Sequence, residues 1–147
     1  MENLYFRKLM VKDYNSNYFE LLNQLSNTIN KSEFTHDEWV TFINNLNANH
    51  QIIVLIDKIT EKIVASGTII IERKIIHNMG NVAHIEDIVV DKNYRGNNIG
   101  KELVIYLLDL AKEKNVYKVI LDCFENNTGF YEKCGFVKNG FQMVVYK

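Results

Sequence analysis

The 147-residue sequence has no proline, two cysteines, one tryptophan, seven glycines and no excess of either charge. Two cysteines, Cys123 and Cys134, are too few for a disulfide scaffold or a four-ligand metal site. His36, His50, His77 and His84 show no metal-ligand spacing, so no metal is expected. Free thiols in this number suit a reducing cytosol, and a cytoplasmic location is expected. Seventeen Lys and Arg against eighteen Asp and Glu give a net charge of −1, which supplies no general field for nucleic acid or an anionic membrane. Any anion must therefore be recognised by a local site. The longest apolar runs, such as residues 52–56, are strand-sized and cannot span a bilayer. Arg7 and Lys8 follow Tyr5 and Phe6 where a signal peptide would carry its apolar stretch. The missing proline, beside abundant asparagine and isoleucine, reads as AT-rich coding bias without functional meaning.

What is present suits a globular protein. Hydrophobic residues make up 47%, near the globular average, which excludes a disordered chain. The length suits a single domain, residues 1–147, able to bury roughly 68–70% of its unfolded surface. The pattern predicts a strand at 5–9, then a helix capped by Asp13 with Tyr18, Phe19, Leu22 and Leu25 on one face. Thr35 and Glu38 form a capping box before a second helix carrying Trp39, Phe42, Ile43 and Leu46. Runs at 51–57 and 63–72 predict a hairpin, and 82–90 another strand. The clearest helix covers 100–114, with Leu103, Val104, Leu107, Leu108 and Ala111 in one stripe. A strand at 118–123, a short helix at 128–133 and a last strand at 143–146 complete an α/β order. That order predicts a mixed sheet with helices on both faces.

The most informative stretch is His84-Ile85-Glu86-Asp87-Ile88-Val89-Val90-Asp91, then Tyr94-Arg95-Gly96-Asn97-Asn98-Ile99-Gly100-Lys101. A strand runs into a small, polar loop that opens directly into the strongest helix. Unpaired N–H groups and the helix dipole make such a start a seat for phosphate or pyrophosphate. Gly96 and Gly100 permit close backbone approach, and Asn98 tolerates the left-handed conformation. The plainer alternative is an ordinary strand–helix loop. Glu86 and Asp87 are adjacent on a strand and so point to opposite faces unless a bulge or a partner subunit intervenes. Asp122 sits in an otherwise apolar run, where an acid is costly to bury unless paired; the alternative is a strand end in solvent.

Arg95-Gly96-Asn97-Asn98-Ile99-Gly100 resembles the acyl-CoA pyrophosphate loop of the GNAT superfamily of N-acetyltransferases. Over nearly the whole chain the sequence is similar to its glucosamine 6-phosphate branch. The residues carrying that likeness are 63–68, 72–77, 84–90, Tyr117-Lys118-Val119-Ile120-Leu121-Asp122-Cys123 and Phe130-Tyr131-Glu132-Lys133-Cys134-Gly135-Phe136. Asn98 stands where many members have glycine, and Tyr146 or Lys147 where some have a substrate-holding arginine. The resemblance implies a mostly antiparallel, twisted GNAT sheet. It also implies acetyl transfer from acetyl-CoA to the 2-amino group of glucosamine 6-phosphate, in UDP-N-acetylglucosamine biosynthesis, by a homodimer with sugar sites near the interface.

For that chemistry, Glu86 or Asp122 binds and deprotonates the ammonium, directly or through a water. Ile88, Val89 and Val90 offer backbone N–H groups to the thioester and pantetheine arm. Arg95, Gly96, Asn97, Asn98, Ile99, Gly100 and Lys101 cradle the pyrophosphate, and Asn127 bonds the cofactor's amide arm. Tyr131 is the candidate acid for the departing thiolate, although a tyrosine on a short helix is more often core. Lys118, Lys74 and His77, with Arg73 as a further candidate, are the cations for the sugar phosphate. Asp87, Tyr117, Thr28 and, more weakly, Ser26 complete the acceptor set. Neither cysteine has a nucleophile's signature, so direct attack in a ternary complex is expected. Two other readings stand beside this one: an acetyltransferase for another small amine or a protein, and a non-catalytic acyl-CoA-binding module. A dinucleotide-binding domain is disfavoured, because the loop lacks the G-x-G-x-x-G fingerprint.

Overall fold

The computed structural model describes residues 3–146. Five strands lie in sequence order: β1 (Leu4–Lys8), β2 (His50–Asp57), β3 (Ile63–Arg73), β4 (Asn81–Val90) and β5 (Val116–Ile120). The first four pair antiparallel and β5 joins β4 in parallel. Parallel pairing requires a crossover, and the helix α3 (Ile99–Glu113) supplies it. Two short helices, α1 (Tyr18–Leu22) and α2 (His36–Asn45), separate β1 from β2, and α4 (Thr128–Glu132) follows β5.

Alternation along the strands feeds two cores, one on each face of the sheet. On one face Leu103, Leu107 and Ala111 of α3 meet Ile53, Leu55, Ile69, Ala83 and Ile85. Their spacing of four residues puts them on one helical stripe, and all three are fully buried. On the other, Tyr18, Phe19, Leu21 and Trp39 meet Ile52, Val54, Ile56 and Ile63. The Trp39 indole donates to the Val11 carbonyl at 2.9 Å, which satisfies its buried N–H. The capping box forms as expected: Thr35 Oγ1 accepts from Glu38 N–H at 3.2 Å, and the Glu38 carboxylate accepts from Thr35 N–H at 2.7 Å.

Three expectations are corrected. Asp13 caps no α-helix; Val11–Asn15 is a tight 3₁₀ turn and α1 ends at Leu22, leaving Leu25 exposed. Asp13 is instead buried, accepting two 2.7 Å bonds from the Arg7 guanidinium and one at 2.8 Å from Met10 N–H. A bidentate partner from β1 outcompetes the helix start for that carboxylate. The strand expected at 118–123 begins at Val116 and stops at Ile120, so Asp122 lies past its end, exposed, accepting from Gln142 Nε2 at 3.1 Å. Residues 143–146 form no strand; Met143, Val144, Val145 and Tyr146 are exposed with no ladder to join, and Lys147 lies outside the described residues.

Candidate active site

The two adjacent acids are reconciled by a β-bulge. Ser66 faces Val89 and Thr68 faces Glu86, so Gly67 stands opposite two residues, Asp87 and Ile88. Asp87 takes the left-handed conformation, with φ 52°. Glycine is required across from it: a Cβ on Gly67 would stand 2.5 Å from Ile88 Cδ1 and 3.0 Å from Leu107 Cδ1. The extra residue resets the alternation, so Ile85 and Ile88 both pack on the α3 side while Val89 packs on the other. Asp87 acts through space on Glu86 and also on the Tyr18 phenol of the opposite face. Burial chiefly pushes that phenol up to about 12, and its oxygen lies 3.4 Å from Ser66 Oγ.

Beyond His84 and Ile120, where their pairing ends, β4 and β5 part. A cleft of about 640 Å³ occupies the gap and the mouth of α3. Ile88, Val89, Val90, Arg95, Gly96, Asn98, Ile99, Gly100, Lys101, Asn127 and Tyr131, all expected to contact the cofactor, line it. Asn97 does not; its amide folds back onto the Tyr94 and Arg95 carbonyls at 3.3 and 3.4 Å. Gln24, Leu25, Phe130 and Lys133 also line the cleft and were not predicted. Phe130 and Lys133 flank Tyr131 along the α4 segment, a signal the sequence did offer.

The loop into α3 is held open from below. Gly96 has φ 82° and Asn98, the helix cap, φ 60°. Asn98 makes no side-chain cap bond, so it leaves the first N–H groups of α3 to another acceptor. Tyr94 hydroxyl donates to Asp57 Oδ2 at 2.6 Å, and Arg95 Nε to the Val90 carbonyl at 3.0 Å. A Cβ on Gly100 would come within 3.3 Å of the Phe130 ring. Open N–H groups at a long helix start, next to a groove kept clear of side chains, suit the diphosphate and pantetheine of an acyl-CoA.

Glu86, Asp87 and Asp122 do not line the cleft, but Glu86 lies within electrostatic reach of Tyr131, which does. Burial first, then the charges of Asp87 and Asp122, raise the Glu86 carboxyl above its ordinary range, with His84 opposing. Burial also raises the Tyr131 phenol, helped by Cys123, Cys134 and Glu86, so it stays protonated as a donor. The predicted phosphate cations separate into two groups. Lys74 is paired with Glu72, which also bonds His84 Nε2 at 3.0 Å, and the Glu72 carboxyl is lowered by both partners. Arg73 ends β3, exposed. His77 lies in the turn Ile76–Met79, where consecutive residues have positive φ, and stacks on Tyr117 with centroids 4.0 Å apart. Lys118 Nζ sits 5.9 Å from the same Tyr117 ring. Thr28 and Ser26 bond each other at 3.1 Å in an exposed loop and do not line the cleft. No group of acids, histidines and cysteines able to hold a metal occurs among the described residues, and no helix among them is long and apolar enough to cross a membrane.

Known proteins share this architecture. The profile of the acetyltransferase (GNAT) family matches residues 10–136. The glucosamine 6-phosphate N-acetyltransferase of Arabidopsis thaliana is 39% identical over 145 residues, covering 99% of this chain and 97% of its own. That of Candida albicans is 41% identical over 143 residues, covering 95% and 93%. The crystal structure of the Arabidopsis enzyme superposes with a TM-score of 0.90 over 97% of both chains. By sequence along nearly its whole length, and by a sheet that parts over a long helix start, the chain belongs to the acetyltransferase (GNAT) family.

Proposed function

We propose that this chain transfers the acetyl group of acetyl-CoA to the 2-amino group of D-glucosamine 6-phosphate, giving N-acetyl-D-glucosamine 6-phosphate and CoA in UDP-N-acetylglucosamine biosynthesis. One observation carries the reading: the cleft beside the bulged strand β4 combines an open helix start with a protonated phenol, Tyr131, and Glu86 lies within electrostatic reach of that phenol and of Asp87 and Asp122. The relatives named above support the acceptor.

The reaction divides among these groups. Backbone N–H groups of Ile88–Val90, past the last β4–β5 pairing, are free of β5 and suit the thioester carbonyl and pantetheine arm. Glu86 receives the ammonium and takes its proton, directly or through a water, and Asp122 holds the same charge from the far side of the gap. A base with a raised pKa is better matched to an amine near neutral pH than an ordinary carboxylate. The neutral amine attacks the carbonyl carbon, a C–N bond forms, and the C–S bond breaks. Tyr131 gives its phenolic proton to the departing sulfur, and the second proton shed by the acylated nitrogen passes through water to restore the phenol. Lys74 is already neutralised by Glu72, which leaves Lys118, with His77 beside Tyr117, as the main phosphate cation. A peptide acceptor would need no such cluster, and an acyl-CoA-binding module would need neither Glu86 nor Tyr131.

The active form in this reading is a homodimer with the sugar site near the interface. Supporting it, the segment after α4 leaves Val137, Phe141, Met143, Val145 and Tyr146 between 82% and 99% exposed, and Gln142 of that segment bonds Asp122, just past β5. Apolar exposure on that scale fits a partner surface. Mass spectrometry of the product tests the reaction: with isotope-labelled acetyl-CoA, the label should appear on the sugar nitrogen, mole for mole with free CoA. CoA release without label on nitrogen would overturn the assignment.

A further inference from the structure

Every residue lining the cleft lies between Ile88 and Lys133 except two, Gln24 and Leu25. They sit just past α1, in the loop that carries Ser26 and Thr28. That loop is closed on itself: Asn23 Nδ2 donates to the Ile29 carbonyl at 3.0 Å and Asn23 Oδ1 accepts from Ile29 N–H at 3.0 Å. Residues 23–29 therefore form one closed loop. The Gln24 side chain ties it to the other side of the cleft. Gln24 Nε2 donates to Asp91 Oδ2 at 3.0 Å, and Gln24 Oε1 accepts from Lys92 N–H at 2.8 Å, across 67 and 68 residues of chain. The other Asp91 oxygen accepts from Asn93 N–H at 2.8 Å, capping the turn Lys92–Tyr94 that leads into the Arg95–Gly100 loop.

We propose that Gln24 is a positioning residue, a two-point latch that holds the loop after α1 against the root of the cofactor loop. Its kinetic consequence rests on the acetyltransferase reading, whereas the latch itself does not. Both halves of the Gln24 amide are used in one orientation, so a change in donor order has a defined effect. Gln24→Glu keeps the acceptor for Lys92 N–H but sets a carboxylate against Asp91. Asp91→Asn keeps the Asn93 cap through its oxygen but turns its amide nitrogen toward Gln24 Nε2, donor against donor. In the double variant the amide introduced at position 91 donates to the carboxylate introduced at position 24, and the bond is rebuilt with its direction reversed.

Hydrogen exchange of residues 23–30 and kinetics should be measured on wild type, both single variants and the double. Each single variant should exchange faster in that loop and lose about tenfold in kcat/KM for glucosamine 6-phosphate, mainly through KM, as expected for a lost bond to a charged group. The double should return to within about threefold of wild type. Gln24→Ala, which leaves the Asp91 cap untouched, should match the singles if Asp91→Asn impairs folding. Wild-type exchange and kinetics in the singles would overturn the proposal. So would a double as impaired as its parents, which would mean that Gln24 touches ligand directly, and so would rescued exchange with no kinetic effect in any variant. If the wild type fails to acetylate glucosamine 6-phosphate, the functional reading fails, and the latch stands or falls on exchange and on acetyl-CoA affinity measured by calorimetry.

Discussion

Tyr131 is half-buried on α4 with Phe130 and Phe136 rings at 4.9 and 6.0 Å, so its ring packs on its neighbours while the residue also lines the cleft. Removing only the hydroxyl separates those roles. Tyr131→Phe should lower kcat by about 10²–10⁴-fold, the usual range for general acid catalysis, with acetyl-CoA affinity nearly unchanged. A kcat within about threefold of wild type in a chemistry-limited assay would make Tyr131 core. Glu86 yields a titration with a defined sign. Burial and the like charges of Asp87 and Asp122 disfavour its charged form, so its carboxyl carbon should titrate by NMR above the ordinary glutamate value of about 4.3. Asp87→Asn removes one like charge and should move that midpoint down. A midpoint that stays put would show Asp87 to be too far away to matter. The folded chain holds this proton more tightly than the unfolded one, so Glu86 subtracts stability as pH rises from the unfolded value through the folded one. At this scale the cofactor loop stood out from residue type and spacing as a candidate anion seat, whereas the roles expected of the acids and of Tyr131 came from the family resemblance. Gln24 was not, because its meaning lies in partners 67 and 68 residues away.

Elements were legible where one local signal dominated. The capping box at Thr35, the 3–4 stripe of α3 and the hairpin of β2 and β3 all form within a residue or two of their predicted bounds. Where a distant partner competes, sequence reasoning failed: Asp13 answers Arg7 rather than a helix start. The bulge at Asp87 enters from sequence only as one way out of strand alternation, since nothing local announces a left-handed aspartate; the clue was Gly67 on the neighbouring strand. The strand expected at 143–146 needs a neighbour, and the residues that would pair are exposed. If they face a second copy, Phe141→Asp with Val145→Asp should convert a sedimenting dimer to monomer and reduce sugar acetylation, while acetyl-CoA still binds. On an isolated chain such exposed positions tolerate the change to within about 0.5 kcal/mol. An unchanged sedimentation coefficient would remove this segment from the interface.

For the molecule as a whole, the sheet serves two purposes. Its strands carry a core on each face, and its parted edge between β4 and β5 is where the proposed function puts the chemistry. With a net charge of −1, the chain has no overall field for an anionic sugar, and the proposed function assigns that attraction to the local group around Lys118, His77 and Tyr117. Central to this account is that the parted edge acetylates an amino sugar and reads its phosphate. The most direct measurement is the ratio of kcat/KM for glucosamine 6-phosphate to that for glucosamine, by thiol release from acetyl-CoA. One charged contact to phosphate predicts a ratio of at least about tenfold, falling toward unity in Lys118→Ala through loss on the phosphorylated sugar alone. Equal use of both sugars by the wild type, or equal loss on both in the variant, would contradict it.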